Sequence, residues 1–332
     1  MKSFSQFKLY LQESRFKLFA AIIVSFILIS FGFSIYYDGK PKSGQHSHVI
    51  AITQIASHPS LDLIRKGITD ELKDNRVFEN NKYRIVFENA QGNISTATQI
   101  AQKFAGLKPA VIVAITTPSA QTIKSAIKNS KIKMVFSGVT DPIGARLLPD
   151  FIDHNNQITG NVDIPPIQDQ IKTILKYKPG TKRIGVVYNP GEVNSIKQID
   201  QLKEYAMEAG IDIVQSTASK TVEVGPATER LVGVVDAIYI PNDNTVVSAI
   251  ESLIKIADKH KILVLASDPE SIEKGAHLAL ANNQYQVGRD TGKLVYRILN
   301  GEDVALIPVK ATTAEQLFVN KEKLKLIGIK VS

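Results

Sequence analysis

Ala110-Val111-Ile112-Val113-Ala114-Ile115 is an unbroken apolar run, and Thr116-Thr117-Pro118-Ser119 follows it directly. A continuous β-branched run closed by a polar, proline-bearing loop reads as a parallel strand buried on both faces and feeding a helix. The same reading recurs at Asp236–Ile240 followed by Pro241-Asn242-Asp243-Asn244. Outward from this pair the chain runs through one strand–helix series twice. The first pass has strands at Val49–Ile55, Tyr83–Phe87, Ala110–Ile115 and Ile132–Phe136, the second at Arg183–Tyr188, Ile211–Val214, Asp236–Ile240 and Ile262–Ala266. Corresponding strands start roughly 126 to 134 residues apart, a period of whole lobes rather than of a short solenoid repeat. The expected fold is α/β: two doubly wound parallel-sheet lobes joined by a hinge of several crossings.

Between the strands, Pro59 to Asn75 carries Leu61, Ile64, Ile68 and Leu72 at helical spacing. Ser95 can cap a second helix, and Pro118 suits the first turn of a third that runs toward Asn129. In the second pass, helices are expected from Ser195 to Ala209, from Asn244 or Thr245 to His260, and from Val287 to Leu299. Thr217 to Leu231, interrupted by Gly225-Pro226, gives no clear helix. The stretches 141–163 and 281–285 are rich in Pro, Gly and Asn and read as crossings between lobes, with a third near 301–305. Lobe 1 is therefore expected to comprise residues 43–143 and 284–303, and lobe 2 residues 144–283 and 304–332.

Residues 1–42 form a separate unit. Lys2, Lys8, Arg15 and Lys17 precede Leu18–Tyr37, which is 20 residues without a charge. A helix of that length is about 30 Å long, enough to span a hydrocarbon core, and its basic flank stays cytoplasmic. A cleavable signal peptide is the rival reading; the length of the run and the lack of an Ala-x-Ala site favour an uncleaved anchor. Both readings put the folded part outside the cytoplasm. The net charge of +8 includes +4 from these 42 residues, and no basic stripe or helix-turn-helix pattern follows, so nucleic acid is not expected as a partner. Cysteine is absent, which excludes disulfides, thiolate metal sites and a lipid-modified cysteine.

No phosphate loop, dinucleotide fingerprint or Gly-x-Ser-x-Gly elbow is present, and the histidines make no metal spacing, so neither cofactor nor metal is expected and the chain does not read as an enzyme. The chemistry lies in the loops at strand ends, where open parallel sheets bind ligands. Thr117 and Ser119 stand at a helix start, which favours a carboxylate, with plain capping the competing role, and Thr116 opens the same loop as a further ligand candidate. Asp141, Asp243 and Asp268, each after a strand, are candidates for a ligand ammonium, Asp243 first, with capping again the alternative. Ser137 and Thr140 surround the fourth strand's end, and Asn189, Glu192, Asn194 and Ser195 form a dense polar loop after Tyr188. Asn242 and Asn244 complete the matching loop, and Gln54 and His58 follow the first strand.

Several blocks of these residues, in order, resemble the tryptophan/tyrosine-type substrate-binding proteins of ABC transporters: Ile52-Thr53-Gln54-Ile55 with His58-Pro59, Asn89-Ala90-Gln91-Gly92, Ala114 to Gln121, Phe136 to Pro142, Tyr188 to Ser195, and Tyr239 to Val246. The resemblance covers nearly everything from Val49 onward. It implies the two-lobed type I periplasmic binding fold and a receptor that delivers a small solute, often an aromatic amino acid (Trp, Tyr or Phe), to a membrane permease and its ATPase. A monomer that closes on its ligand is expected. A membrane-tethered sensor with the same fold, and a binding protein for a sugar or other neutral solute, are the alternatives.

Overall fold

The computed structural model describes residues 48–151, 157–313 and 315–330, together with Ser25. The first sheet runs β11-β5-β4-β3-β1-β2, built from β1 (His48–Gln54), β2 (Tyr83–Asn89), β3 (Val111–Ile115), β4 (Met134–Val139), β5 (Ile158–Val162) and β11 (Lys310–Ala311), all parallel. Its connecting helices are α1 (Pro59–Asp74), α2 (Ile94–Leu107) and α3 (Thr117–Ile127). Between lies α4 (Ile167–Tyr177). The second sheet runs β12-β10-β9-β8-β6-β7. It comprises β6 (Arg183–Tyr188), β7 (Asp212–Thr217), β8 (Ala237–Ile240), β9 (Leu263–Ala266), β10 (Leu278–Asn282) and β12 (Glu315–Val319). Helices α5 (Val193–Glu208), α6 (Val224–Glu229), α7 (Asn244–Ser248) and α8 (Ile250–Lys259) connect it, followed by α9 (Gln284–Leu299) and α10 (Lys321–Leu326). Among the described residues only the edge strand β12 is antiparallel to its neighbour. Thus both halves carry the expected sheet.

Every residue of β3, β8 and β9 is buried, which explains their unbroken apolar sequence: helices cover both faces. In both sheets the order reverses at the first two inner strands, β1/β3 and β6/β8. The crevice at such a reversal lies outside the carboxyl ends of those strands, so the loops after β1, β3, β6 and β8 meet there. Helices α1 and α9 pack backbone to backbone. A methyl group on Gly288 would stand 2.1 Å from the Ile64 carbonyl oxygen, and one on Gly67 2.3 Å from that of Tyr285.

Four local expectations change. Asn93, not Ser95, caps α2, its side chain accepting from the Thr96 N–H at 3.0 Å. Helix α5 begins at Val193, because Glu192 is the extended residue before it. The helix expected from Asn244 to His260 breaks at Ala249 into α7 and α8. Residues 217–231 form a 3-10 turn, Thr221–Glu223, leading into α6, whose Pro226 lies in the first turn where a missing N–H costs nothing. The lobe boundary also moves. Strand β5 hydrogen-bonds to β4, so the first sheet extends past residue 143, and the first crossing starts at Asp163. The last crossing is not at 301–305, because β11 still pairs with β5; it falls between Ala311 and Glu315. The second crossing lies at Asn283, inside the expected 281–285. Apart from Ser25, Leu18–Tyr37 lies outside the described residues; among the described residues no helix is long and apolar enough to cross a membrane.

Candidate functional site

The lobe 1 wall of the cleft is set by the heads of α1 and α3. Thr116 joins β3 to α3 at φ 76°, ψ 162°, a region that β-branched residues avoid. That strained turn is fixed by the Thr116 N–H, which donates to the Ser137 carbonyl at 2.8 Å. It leaves the hydroxyls of Thr116, Thr117 and Ser119 buried at the positive end of α3 with no hydrogen-bond partner among the described residues. His58 precedes Pro59 at the start of α1; its ring is buried and neither nitrogen is hydrogen-bonded within the protein. Burial pushes its pKa down, against the pull of Asp268, Asn244, Asp62 and Glu192. Leu61 and Ile64 on the next turns, with Gly138 at the end of β4, add an apolar surface.

On the lobe 2 wall, two carboxylates close on the head of α7. Asp243 caps it: Oδ1 accepts from the Val246 N–H at 2.9 Å, while Oδ2 accepts from the Asn189 N–H at 2.6 Å and from Ser195 Oγ at 2.7 Å. Glu192 Oε2 accepts from the Asn244 N–H (3.0 Å), from Asn244 Nδ2 (2.6 Å) and from Asn194 Nδ2 (3.1 Å). Its Oε1 accepts from the Thr245 N–H (3.1 Å) and hydroxyl (3.0 Å). Burial and the Glu192 charge push the Asp243 carboxyl up to about 8. Asp268 caps the 3-10 turn Pro269–Ile272 and also reaches lobe 1, accepting from Ser60 Oγ at 2.7 Å. A second bridge runs from Gln198 Nε2 to Thr140 Oγ1 at 3.4 Å.

The crossings close the back of the cleft. Asp163 is buried, Oδ1 accepting from Asn282 Nδ2 at 2.8 Å and Oδ2 from Gln284 Nε2 at 3.0 Å. Burial raises its pKa, the two amides hold it back, and Asp268 adds to the rise. Between the walls lies a narrow slot with a cavity volume of about 40 Å³. Of the residues read from sequence, His58, Thr116, Thr117, Thr140, Asn194, Asn242, Asp243, Asn244 and Asp268 line it. Glu192 and Asn189 face the outer groove, and Ser119 and Ser195 are buried and line neither cavity.

Four expected residues point elsewhere. Gln54 donates to Asp62 Oδ1 (3.0 Å) and to the Ala56 carbonyl (2.9 Å), tying the end of β1 to α1. Ser137 bonds Thr291 of α9 at 2.7 Å under the sheet. Asp141 accepts from the Gly144 N–H at 2.8 Å, a turn cap on the rim. Tyr188 packs into the lobe 2 core. Conversely Ser60, Leu61, Ile64, Asp163, Val247 and Gln284 line the slot without having been singled out. Leu61 and Ile64 carried only a core-facing periodicity, and Asp163 only its place before Pro165-Pro166.

The family model described as ABC transporter substrate binding protein matches residues 49–332. The chain belongs to this family. Members share the two-lobed type I periplasmic binding fold seen here. A protein named tyrosine-binding protein from Clostridioides difficile (strain R20291) is 33% identical over 292 residues, 88% of this chain and 84% of that one. The structure of an ABC domain in complex with L-Trp from Streptococcus pneumonia is 30% identical, covering 86% of this chain and 96% of that one, with a TM-score of 0.82. A ligand-free, open structure of a Clostridium difficile substrate-binding protein with adhesive properties is 35% identical over the same shares, yet its TM-score is 0.66.

Proposed function

We propose that this ABC-transporter substrate-binding protein takes an aromatic amino acid as a zwitterion in the interlobe slot. The observation that carries this is the opposition of unpartnered hydroxyls at the head of α3 to buried carboxylates that, among the described residues, no Lys or Arg side chain meets. The ligand carboxylate sits at the α3 head, where the helix dipole and the Thr116 and Thr117 hydroxyls stabilise it. The ammonium goes to Asp163 rather than Asp243. A carboxylate accepts about four hydrogen bonds; Asp243 and Asp268 each have three donors, and Asp163 has two side-chain amides. Leu61, Ile64, Val247 and the His58 ring flank the side chain. Tyrosine- and tryptophan-binding relatives support the ligand class.

The protein works outside the cytoplasm, held at the membrane by Leu18–Tyr37 as an uncleaved helix, and hands its ligand as a monomer to a permease driven by an ATPase. The lobes close on the ligand about the three crossings. Calorimetry with tyrosine, tryptophan and phenylalanine tests the reading. Asp163→Asn is expected to weaken binding well over tenfold, because the partner charge is lost from a buried pair. Thr117→Val is expected to weaken it about tenfold, the worth of one hydrogen bond to a charged group. Wild-type affinity in Asp163→Asn moves the ammonium elsewhere, and absence of binding by the wild type to all three amino acids overturns the ligand class.

A further inference from the structure

At the edge of the slot, which Ser60 and Asp268 both line, the two lobes meet at a polar junction. Ser60, on α1, donates across the cleft to Asp268 Oδ1 at 2.7 Å. Asp268 in turn is held by the Ser271 N–H at 3.1 Å and the Ser271 hydroxyl at 2.5 Å. Two residues on, in the same 3-10 turn, Glu270 has a buried Oε2 with no hydrogen-bond partner among the described residues. Both acids border a pocket of about 620 Å³ between His58-Pro59 of lobe 1 and the start of α8 in lobe 2.

The cations around this junction are engaged elsewhere. Lys274 pairs with Glu251 at 2.8 Å, Arg65 with Asp62 at 3.3 Å and Lys66 with Asp70 at 2.5 Å. Lys73 lies near the opposite end of α1. The remaining neighbours in the turn are Asp268 and the exposed Glu273; β12, packed beneath it, brings one charged residue, Glu315, which is exposed, and β10 brings none. So the closed interface holds adjacent acids with no nearby positive charge committed to them.

We propose that Ser60 and Asp268 form an interlobe latch whose closing places a proton on Glu270, so that lobe closure is tuned by external pH; the idea rests on the ligand-binding reading above. Opening the cleft lifts α1 from the turn and gives Glu270 to water, where a glutamate titrates near 4.3. Closing buries it beside Asp268, and burial, followed by that charge, pushes the carboxyl up to about 7, against the opposing pull of the Ser60 hydroxyl. Between those values the closed form holds a proton that the open form lacks, so falling pH favours closure. Above about 7 the proton is gone and closure must bury both charges. His58 works oppositely, because burial lowers its pKa and closure expels its proton. The contribution of Glu270 is therefore read as the difference between the wild type and Glu270→Gln, which is neutral at every pH.

The test is calorimetry of the full chain with tyrosine and tryptophan from pH 5.5 to 8, in buffers of different ionisation enthalpy. The two proteins are expected to bind alike only below about pH 4, where the glutamate holds its proton in both forms; from pH 5.5 to 8 the advantage of Glu270→Gln over wild type is expected to widen by more than about tenfold, because it has no charge to bury. At pH 6.5 the wild type is expected to take up most of one proton more than the variant. Equal pH profiles and equal proton counts overturn the proposal. A second arm needs no ligand. Lys131→Cys and Glu208→Cys, both at exposed positions, give a dye pair in a chain without native cysteine. Energy transfer should report more closure at pH 5.5 than at pH 8, and Glu270→Gln should abolish its share of that change. Failure to bind any amino acid, with this pH-dependent closure intact, refutes the ligand class and upholds the latch; a closure equilibrium that Glu270→Gln leaves unaltered refutes the latch.

Discussion

Asp243 illustrates how one residue type serves two roles that spacing does not separate. An aspartate just before a helix is as good a cap as a ligand contact, and only the side-chain direction decides. Here both oxygens turn inward to the Val246 and Asn189 N–H groups and the Ser195 hydroxyl. Glu192 reinforces the cap from a loop about 50 residues earlier, a contact that exists only because β6 and β8 are neighbours. Asp243→Ala is therefore expected to act first on stability: three buried bonds lose their acceptor, and melting should report a loss of about 2 kcal/mol or more. A variant that melts like wild type but no longer binds amino acids would return Asp243 to the ammonium site. The helix start at Thr117 was legible at this scale, because a polar, proline-bearing loop follows a buried strand; the left-handed turn at Thr116 was not. Asp163 was not, because nothing in its neighbours tells that two crossings pack side by side and supply Asn282 and Gln284 as its donors.

The elements themselves were legible wherever burial on both faces wrote a continuous apolar run, as in β3, β8 and β9. Strand β5 escaped, because Ile158-Thr159-Gly160-Asn161-Val162 is polar in part: Asn161 and Thr159 are buried but satisfied by Thr312 and the Ile307 carbonyl. Glycine carries the packing of α1 on α9. Gly288→Ala would force its methyl against the Ile64 carbonyl, so a loss of about 3 kcal/mol is expected despite alanine's better helix propensity. Ile64 also lines the slot, so affinity should fall with stability. Gly106→Ala in α2 is the control: nothing stands within 4 Å of the new methyl, and a gain of up to about 1 kcal/mol is expected. Equal effects of the two substitutions in chemical denaturation would rule out the close contact.

Lobe 2 has an acid-sensitive tie of its own. His277, at the foot of β10, accepts from the Val264 N–H through Nδ1 at 2.9 Å, and its Nε2 lies 3.1 Å from Asp258 Oδ1. Asp258 also pairs with Lys323, which anchors α10. Burial pushes the histidine down to about 4, against the pull of Asp258. A folded pKa below the unfolded value means that the unfolded chain binds more protons, so this contribution is complete above about 6.5 and is lost as pH falls toward 4. Melting curves should show roughly 2–3 kcal/mol less stability at pH 4 than at pH 7 from this site, and His277→Gln should flatten part of that slope. A variant with an unchanged pH profile would place the acid sensitivity elsewhere.

For the molecule as a whole, two comparisons separate sequence distance from conformation. The ligand-free, open relative is the more similar in sequence, 35% against 30%, yet the L-Trp complex superposes better, at a TM-score of 0.82 against 0.66. A difference in that sense is what lobe rotation produces: each lobe is kept, and their mutual angle changes. The present arrangement, with Ser60 on Asp268 and Gln198 on Thr140, is accordingly that of the closed clamp. Its slot of about 40 Å³ is far smaller than an aromatic amino acid, so the walls must part further to hold a ligand and binding must begin from an opened form. Hinges of this kind concentrate the change in a few element-ending residues, here Asp163 to Pro166, Asn283 and the segment between Ala311 and Glu315. Small-angle scattering is therefore expected to show a smaller radius of gyration with saturating tyrosine or tryptophan than without, and the ligand-free scattering curve to fit a lobe arrangement like that of the open relative. A radius that stays constant while calorimetry reports binding would mean that the lobes are already shut in the free protein, and that the ligand enters through a local opening at His58 instead.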